Sequence, residues 1–347
     1  MNTNENKAVS PWSEAWHRLK DNRLAMFSLG YFVLIVLLCY LLPLLYPISP
    51  TDQSLSFGAN PPLSKGIELR YDAEQEEFDE FITEKEFVEL YSENGESDLE
   101  RLVADQQTEL SGMYFSRSDR IHLLGTDSHG RDLFARILQG GRVSLGVGFL
   151  ATLVSLTIGV VYGSVSGYIG GRIDACMMRV VDVLYAIPFL IFVILLMVVF
   201  EASKHQLLLI FIAIGAVEWL TMARIVRGQV IHLKSQEFVD AARAIGVRPF
   251  TIIFRHLAPN TLGPVIVYAT LLIPAVMLLE STLSFLGLGI QPPNASWGTL
   301  IKEGADKMTV YPWLLIIPSL FFSLTLFAMN FLGDGLRDAL DVKSSKD

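Results

Sequence analysis

Six stretches of this chain are too apolar and mostly too long for ordinary core helices: residues 24 to 46, 143 to 167, 183 to 200, 206 to 223, about 261 to 286, and 310 to 333. A hydrocarbon layer about 30 Å thick takes roughly 20 apolar residues of helix to cross. Inside it only a continuous helix or a closed barrel satisfies every backbone N–H and C=O. The first, second, third and sixth stretches hold no charged residue, while the fourth holds Glu218 and the fifth Glu280. A hydrophobic content of 51% and a mean hydropathy of +0.42 over 347 residues agree. The expected fold is an all-α polytopic membrane protein with six transmembrane helices. The first stretch exceeds the apolar core of a signal peptide and no AxA-like cleavage site follows it, so it reads as an uncleaved anchor.

The net charge of −9 is concentrated in one place. Residues 52 to 119 hold 18 of the 36 acidic side chains against five basic ones, a net of −13, which leaves the remainder at +4. That distribution excludes a nucleic-acid footprint and describes an acidic insert in a mildly basic membrane body. Lys and Arg in short loops orient the spans. With the N-terminus inside, the inner segments 1–23, 168–182, 224–260 and 334–347 carry 4, 2, 6 and 3 of them. The outer loops 201–205 and 287–309 carry only Lys204, Lys302 and Lys307. Both termini are expected in the cytoplasm. The division is a cytoplasmic segment (1–23), a first transmembrane helix (24–46), an extracytoplasmic insert and linker (47–142), a transmembrane core (143–333) and a cytoplasmic tail (334–347). Arg131, Arg136 and Arg142 then face outward against the charge rule and need partners of their own. Within the insert, Phe78, Phe81 and Ile82, then Phe87, Val88 and Leu90, recur in a loosely helical pattern, which fits a small helical lobe or a solvated loop.

Several chemistries can be set aside. Cys39 lies in an apolar run and Cys176 in what reads as a short polar loop, an unsuitable pair for a disulfide or a metal. No GxxxxGK[ST] is present, so no P-loop binds ATP on this chain; HExxH, GxSxG and hydrolytic carboxylate pairs are also missing from the spans.

The stretch "EFVDAARAIGVRPFTIIFRHLAPN" (237–260) lies between the fourth and fifth apolar runs. Phe238, Ala241, Ala242 and Ile245 fall at i, i+3, i+4 and i+7, one apolar face with two small residues. Ser235 is placed to cap this helix, Gly246 to end it, and Pro249 to open a second short helix at once. Periodicity alone allows either a helix resting on the lipid surface or a docking element for a cytoplasmic protein.

The same stretch resembles the EAA loop of ABC importer permeases, with Asp240, Ala241, Ala242, Gly246 and Pro259 at the matching positions and Asp240 standing for the usual Glu. "LGTDSHGRDLFARILQGGRVSLGVG" (124–148) and "ESTLSFLGLGIQPPNASWG" (280–298) narrow the resemblance to the oligopeptide and dipeptide (and nickel) branch, in the smaller of its two membrane subunits. It covers about residues 10 to 45 and 120 to 340, without the acidic insert. What it implies is a permease subunit in a bacterial inner membrane, in contact with membrane lipid. Its implied partners are a homologous permease, two cytoplasmic ABC ATPases and an extracytoplasmic peptide-binding protein, with no nucleic acid. ATP and Mg would sit on the ATPases, with no cofactor and no catalysis on this chain. Residues 235–260 become a coupling loop in which Asp240, Ala241, Ala242, Ile245, Gly246, Arg255 and Pro259 meet the ATPase. Asp127, Gly130, Arg131, Asp132, Glu280 and Phe285 are assigned to the outer mouth or the path. Nickel or another small solute is the alternative cargo, and a membrane scaffold or sensor the alternative class.

The other polar residues admit two readings each. Glu218 lies six residues before Arg224, about 9 Å along a helix, near the inner interface, either paired or lining the path. His129 between Asp127 and Asp132 reads better as part of a turn, permitted by Gly130 and locked by Arg131 and Asp132, than as a metal or acid/base site. Gly170 and Gly171 make a turn, and Arg172, Asp174, Arg179 and Asp182 follow at spacings for local helical contacts, as a bracing helix or a solvated loop. Pro188, Pro264, Pro274 and Pro318 fall inside spans.

Overall fold

A computed structural model describes residues 11–46, 49–53, 55, 58–70, 80–92, 96–105, 107–110, 113–199, 206–291 and 294–340. Phe78, the loop 201–205 and the tail beyond Leu340 lie outside the described residues. In chain order come α1 (Pro11–Asp21), α2 (Arg23–Leu41), β1 (Ser64–Arg70), β2 (Glu80–Thr83), α3 (Glu84–Glu86), α4 (Glu96–Asp105), β3 (Gln107–Leu110) and β4 (Met113–His122). Then follow α5 (Leu133–Ile169), α6 (Gly171–Tyr185), α7 (Phe189–Val199), α8 (Gln206–Leu233), α9 (Glu237–Ala244), α10 (Pro249–Thr251), α11 (Ala258–Asn260), α12 (Leu262–Phe285), α13 (Trp297–Ala305) and α14 (Trp313–Leu340).

The chain is mostly helical. Among the described residues four helical segments are long and apolar enough to cross a bilayer: Arg23–Leu44, Leu133–Ile169, Leu262–Phe285 and Trp313–Leu340. A fifth arises if Gly171–Tyr185 and Phe189–Leu195 form one span broken by 74°. Pro188 stands at that break, where a ring without an N–H cannot continue the ladder. The expected run 183–200 is therefore divided between two helices. α5, at 37 residues, starts ten residues before the expected second span.

The chain divides into two compact units. The first comprises residues 1–36, 143–290 and 322–347. Its core joins Val147 and Ala151 of α5, Val193 of α7, Ile214 of α8 and Leu272, Val276 and Leu283 of α12. Helices α5 and α8 approach closely because α5 carries glycine every fourth residue. A β-carbon on Gly159 would lie 2.5 Å from Met222 Cγ, one on Gly167 2.9 Å from the Arg227 carbonyl oxygen, and one on Gly163 would run into the Ala223 carbonyl. Small residues at such a seam let helix backbones meet where lipid provides no hydrophobic drive.

The second unit comprises residues 37–142 and 291–321. Its insert corrects both the all-α expectation and the helical lobe. β2-β1-β4-β3 form a four-stranded antiparallel sheet, with Ile67 opposite Ile82 and Leu69 opposite Phe115. Alternation sends Ile67, Leu69 and Phe115 to one face, where Phe87 and Leu102 cover them. The Phe87 and Phe115 rings meet edge to face at 4.9 Å. Ile82, read as helical, is in a strand; Phe87 starts a π-helical turn, Phe87–Tyr91, after α3. A capping box starts α3: Thr83 Oγ1 accepts from Glu86 N at 3.1 Å and Glu86 Oε2 from Thr83 N at 2.9 Å. Cys176, expected in a loop, is exposed on α6.

Candidate functional site

The segment between α8 and α12 folds as a helix, a left-handed glycine and further helical turns. Gly246 has φ +79°, Val247 N donates to Ala242 O and Gly246 N to Arg243 O, both at 3.0 Å, which ends α9 in a Schellman motif. Pro249 occupies the first turn of α10. The residue preceding α9 is Gln236, which makes no side-chain cap; Ser235 Oγ donates back to His232 O at 2.9 Å, so the expected Ser235 cap instead closes α8.

The single apolar face expected of α9 is divided. Val239 and Ala242 point inward and pack with Met222, Val226 and Val230 of α8, Ile252 and Leu257 of the following turns, and Val265 of α12. Phe238 is 40% exposed and Ile245 80%, with Ala241 exposed beside them. Phe250 on α10 is 71% exposed, and its ring lies 4.6 Å from that of Phe254. Arg255, Pro259 and Asp240 are exposed as well. An apolar patch rimmed by charge therefore sits on a helix whose opposite side is anchored to two long helices.

α6 braces the same region. Gly170 and Gly171 turn the chain with φ of +71° and +60°. The contacts from α6 are then tertiary rather than the local ones expected: Asp174 pairs with Arg227, and Asp182 with Arg224 at 2.9 Å, while Lys234 Nζ, just past α8, donates to Gly167 O on α5 at 2.7 Å. The sequence showed the carboxylates and the arginines, but nothing in it paired residues some 40 to 50 positions apart.

The motif 124–132 forms a tight buried turn. Asp127 N donates to Arg131 O and Gly130 N to Asp127 O, both at 2.9 Å, with Gly130 at φ +71°. Asp127 Oδ1 accepts from His129 N at 2.8 Å and Arg131 N at 3.1 Å, and Oδ2 from Arg131 Nε at 2.7 Å and from Arg136 Nη1. Burial alone would raise the Asp127 carboxyl, but the Arg136 and Arg131 guanidiniums and the His129 N–H outweigh it and hold it below the usual carboxylate value. Arg136 also grips Glu303 of α13, at 2.6 and 3.1 Å. The lock is thus Arg131 and Arg136 on Asp127, not Arg131 with Asp132. Asp132 caps α5, Oδ1 accepting from Ala135 N at 2.7 Å, and its Oδ2 meets His122 Nδ1 at 2.8 Å. Glu303, His122 and Trp297 were not among the residues singled out; Trp297 is fully buried and donates from Nε1 to Ile137 O at 3.0 Å. Arg142 donates to Cys39 O at 2.7 Å and Tyr40 O at 3.0 Å, so Arg131, Arg136 and Arg142, expected to need partners of their own, all have them.

Glu280 is fully enclosed in the first unit and accepts from Ser144 Oγ at 3.1 Å and Ser284 Oγ at 2.7 Å. Phe285, at the end of α12, is half-exposed. Among the described residues no group of three or more His, Cys, Asp or Glu is placed to hold a metal ion.

Among the described residues, four to five helices of membrane-spanning length and an anchored short helix with an exposed apolar side define an integral membrane protein with a candidate docking segment. The family model described as "Binding-protein-dependent transport system inner membrane component" matches residues 159–346, and the chain belongs to that family. Within it the chain falls in the oligopeptide and dipeptide branch: "N-terminal TM domain of oligopeptide transport permease C" matches residues 10–62. The oligopeptide transport system permease protein OppC of Haemophilus influenzae is 55% identical over 222 residues, 64% of this chain and 70% of that one. Its Bacillus subtilis namesake is 37% identical over 98% of this chain and 92% of its own. The dipeptide transport system permease protein DppC of Bacillus subtilis is 39% identical over 97% and 87%.

Proposed function

We propose that this chain is one of two homologous permease subunits of an ATP-driven importer and carries peptides handed over by an extracytoplasmic binding protein. The names of its relatives, which transport oligopeptides and dipeptides, support the cargo. In this reading six helices cross the membrane, α8 among them, with both termini inside and the insert outside. Two ATPase subunits hydrolyse ATP with Mg, and α9 seats Phe238, Ala241 and Ile245 in a groove on one of them. The observation that carries the mechanism is the division of α9: Val239 and Ala242 tie it into α8 and α12 while Phe238 and Ile245 stay exposed. A displaced α9 cannot move without those helices, so ATPase closure becomes rocking of the bundle. Outside, the Asp127 turn keeps the mouth rigid, with Gly130, Arg131 and Asp132 as its parts; Glu280 and Phe285 lie on the outer side of the path.

Ala241→Arg should lose co-purification with the ATPase and peptide uptake together, and Gly246→Pro should do the same by removing the left-handed turn. Variants that bind the ATPase and transport normally would refute the coupling. Uptake of labelled di- and oligopeptides against nickel, in cells with and without this gene, decides the cargo.

A further inference from the structure

A cavity of about 330 Å³ lies at the end of α2, lined there by Pro43, Tyr46 and Ser49 and on the first turns of α5 by Leu138, Gln139 and Arg142. Most polar groups in it are engaged: Tyr46 O–H donates to Asp132 Oδ2 at 3.3 Å, and Ser49 Oγ lies 3.0 Å from Thr51 Oγ1. Two are not. Arg142 is pinned through Nε to Cys39 O and Nη2 to Tyr40 O, which leaves Nη1 without an acceptor among the described residues. Gln139 Oε1 is buried with no donor among them. Residues three apart on a helix are neighbours, with β-carbons about 5–6 Å apart, so an anion held by Arg142 would have Gln139 beside it.

The depth is set by sequence. The apolar run of α2 ends at Tyr46, and Arg142 is the last charged residue before the uncharged run 143–167. Tyrosine and arginine at the end of a span belong to the headgroup level. Leu41 is 53% exposed, Leu44 77% and Leu45 80%, an apolar strip on the same turns that line the cavity.

We propose that this cavity is a phospholipid headgroup site. The phosphate sits on Arg142, a donor of the headgroup, an ammonium or hydroxyl, meets Gln139 Oε1, and the acyl chains run along Leu41, Leu44 and Leu45. A free peptide also offers an anion and an ammonium, but has no chains to cover the exposed leucines. Inorganic phosphate offers the anion alone. Phosphatidylcholine has the phosphate and no N–H or O–H donor, which separates the two contacts.

The test uses the full transport complex in nanodiscs of phosphatidylcholine doped with phosphatidylethanolamine or phosphatidylglycerol, with retained lipid read by native mass spectrometry. Wild type should retain the doped lipids over phosphatidylcholine, and Gln139→Leu should weaken that preference about tenfold, the worth of one charge-assisted hydrogen bond. Arg142→Lys, which keeps the charge and loses the fork, should lower retention of all three. Because Arg142 also closes α2, Gln139→Leu is the decisive variant. Equal preference in wild type and Gln139→Leu overturns the proposal. So does displacement of the lipid by millimolar inorganic phosphate, or capture of a photoreactive peptide at position 139.

Discussion

Arg227 on α8 grips Asp174 on α6 with both prongs of its guanidinium, Nε to Oδ1 and Nη2 to Oδ2, each at 2.6 Å. The Asp174 side chain is 11% exposed, and Ser166 Oγ adds a further hydrogen bond to it. A planar fork on a carboxylate fixes orientation as well as distance, which a lysine cannot do. α8 leads directly into the α9 segment, so this pair fixes the end of α8 from which α9 is presented.

Asp174→Asn and Arg227→Lys should both lower the thermal midpoint of the purified complex, the first through a loss of about 1.5–3 kcal/mol of stability because a charge-assisted fork becomes a weak amide contact. Arg227→Lys should cost less. Uptake should fall in parallel with ATPase coupling rather than with binding-protein affinity. Unchanged coupling at a lowered midpoint would mean that the pair serves stability alone.

Gly163→Val places a branched side chain against the Ala223 carbonyl, at a seam with no room for it. Overpacking of this kind costs typically about 1–3 kcal/mol, more where the obstacle is backbone. Gly228→Ala is the control: a β-carbon there meets nothing within 4 Å, and helix propensity favours alanine by about 1 kcal/mol. The yield of folded protein in detergent should fall for the first and hold or rise for the second.

The depressed Asp127 carboxyl gives the 124–132 turn a defined acid limit. The folded state binds this proton more weakly than the unfolded chain does. Its stabilising contribution is therefore fully present above the unfolded value of about 3.9 and is lost as pH falls from there through the lower folded value. Asp127→Asn cannot titrate and lacks the contribution at every pH. The difference in thermal midpoint between wild type and Asp127→Asn should be constant above about pH 5 and shrink below about pH 4. A difference that stays constant into acid would contradict the charge assignment.

Glu280 supplies the acceptor for Ser144 on α5 and Ser284 on α12. Glu280→Gln keeps an acceptor and should fold and transport close to wild type. Glu280→Leu removes it from a fully buried site and should destabilise by about 1–3 kcal/mol. Equal uptake and equal thermal midpoints in all three would exclude a part for this carboxyl in either packing or transport.

Much of this protein was readable locally. Apolar runs of membrane length, the Gly246 stop, the Pro249 start and the three family motifs each depend on residues within one helix or one turn. The long extensions of α5 and α8 were less visible, because a helix continues past its apolar run wherever polar residues find tertiary partners, as Arg136 does with Glu303 and Arg227 with Asp174. The insert was misread because Ile82 and Phe87 satisfy a short helical period and a strand-plus-turn equally well. What separates the two is the pairing of Ile67 with Ile82 and Leu69 with Phe115, and no local window contains it.

Hydrophobic run length, charge asymmetry and backbone punctuation are properties of neighbours along the chain, and from them the amino-acid sequence alone determined a helical membrane protein with a helix-glycine-helix break at Gly246, to which the three motifs added the permease family. Which side of α9 turns inward, which carboxylate each arginine takes, and that the acidic insert is a sheet were decided only by tertiary structure. Burial and ion pairing are won between residues far apart in sequence, where a single favourable contact outweighs local periodicity.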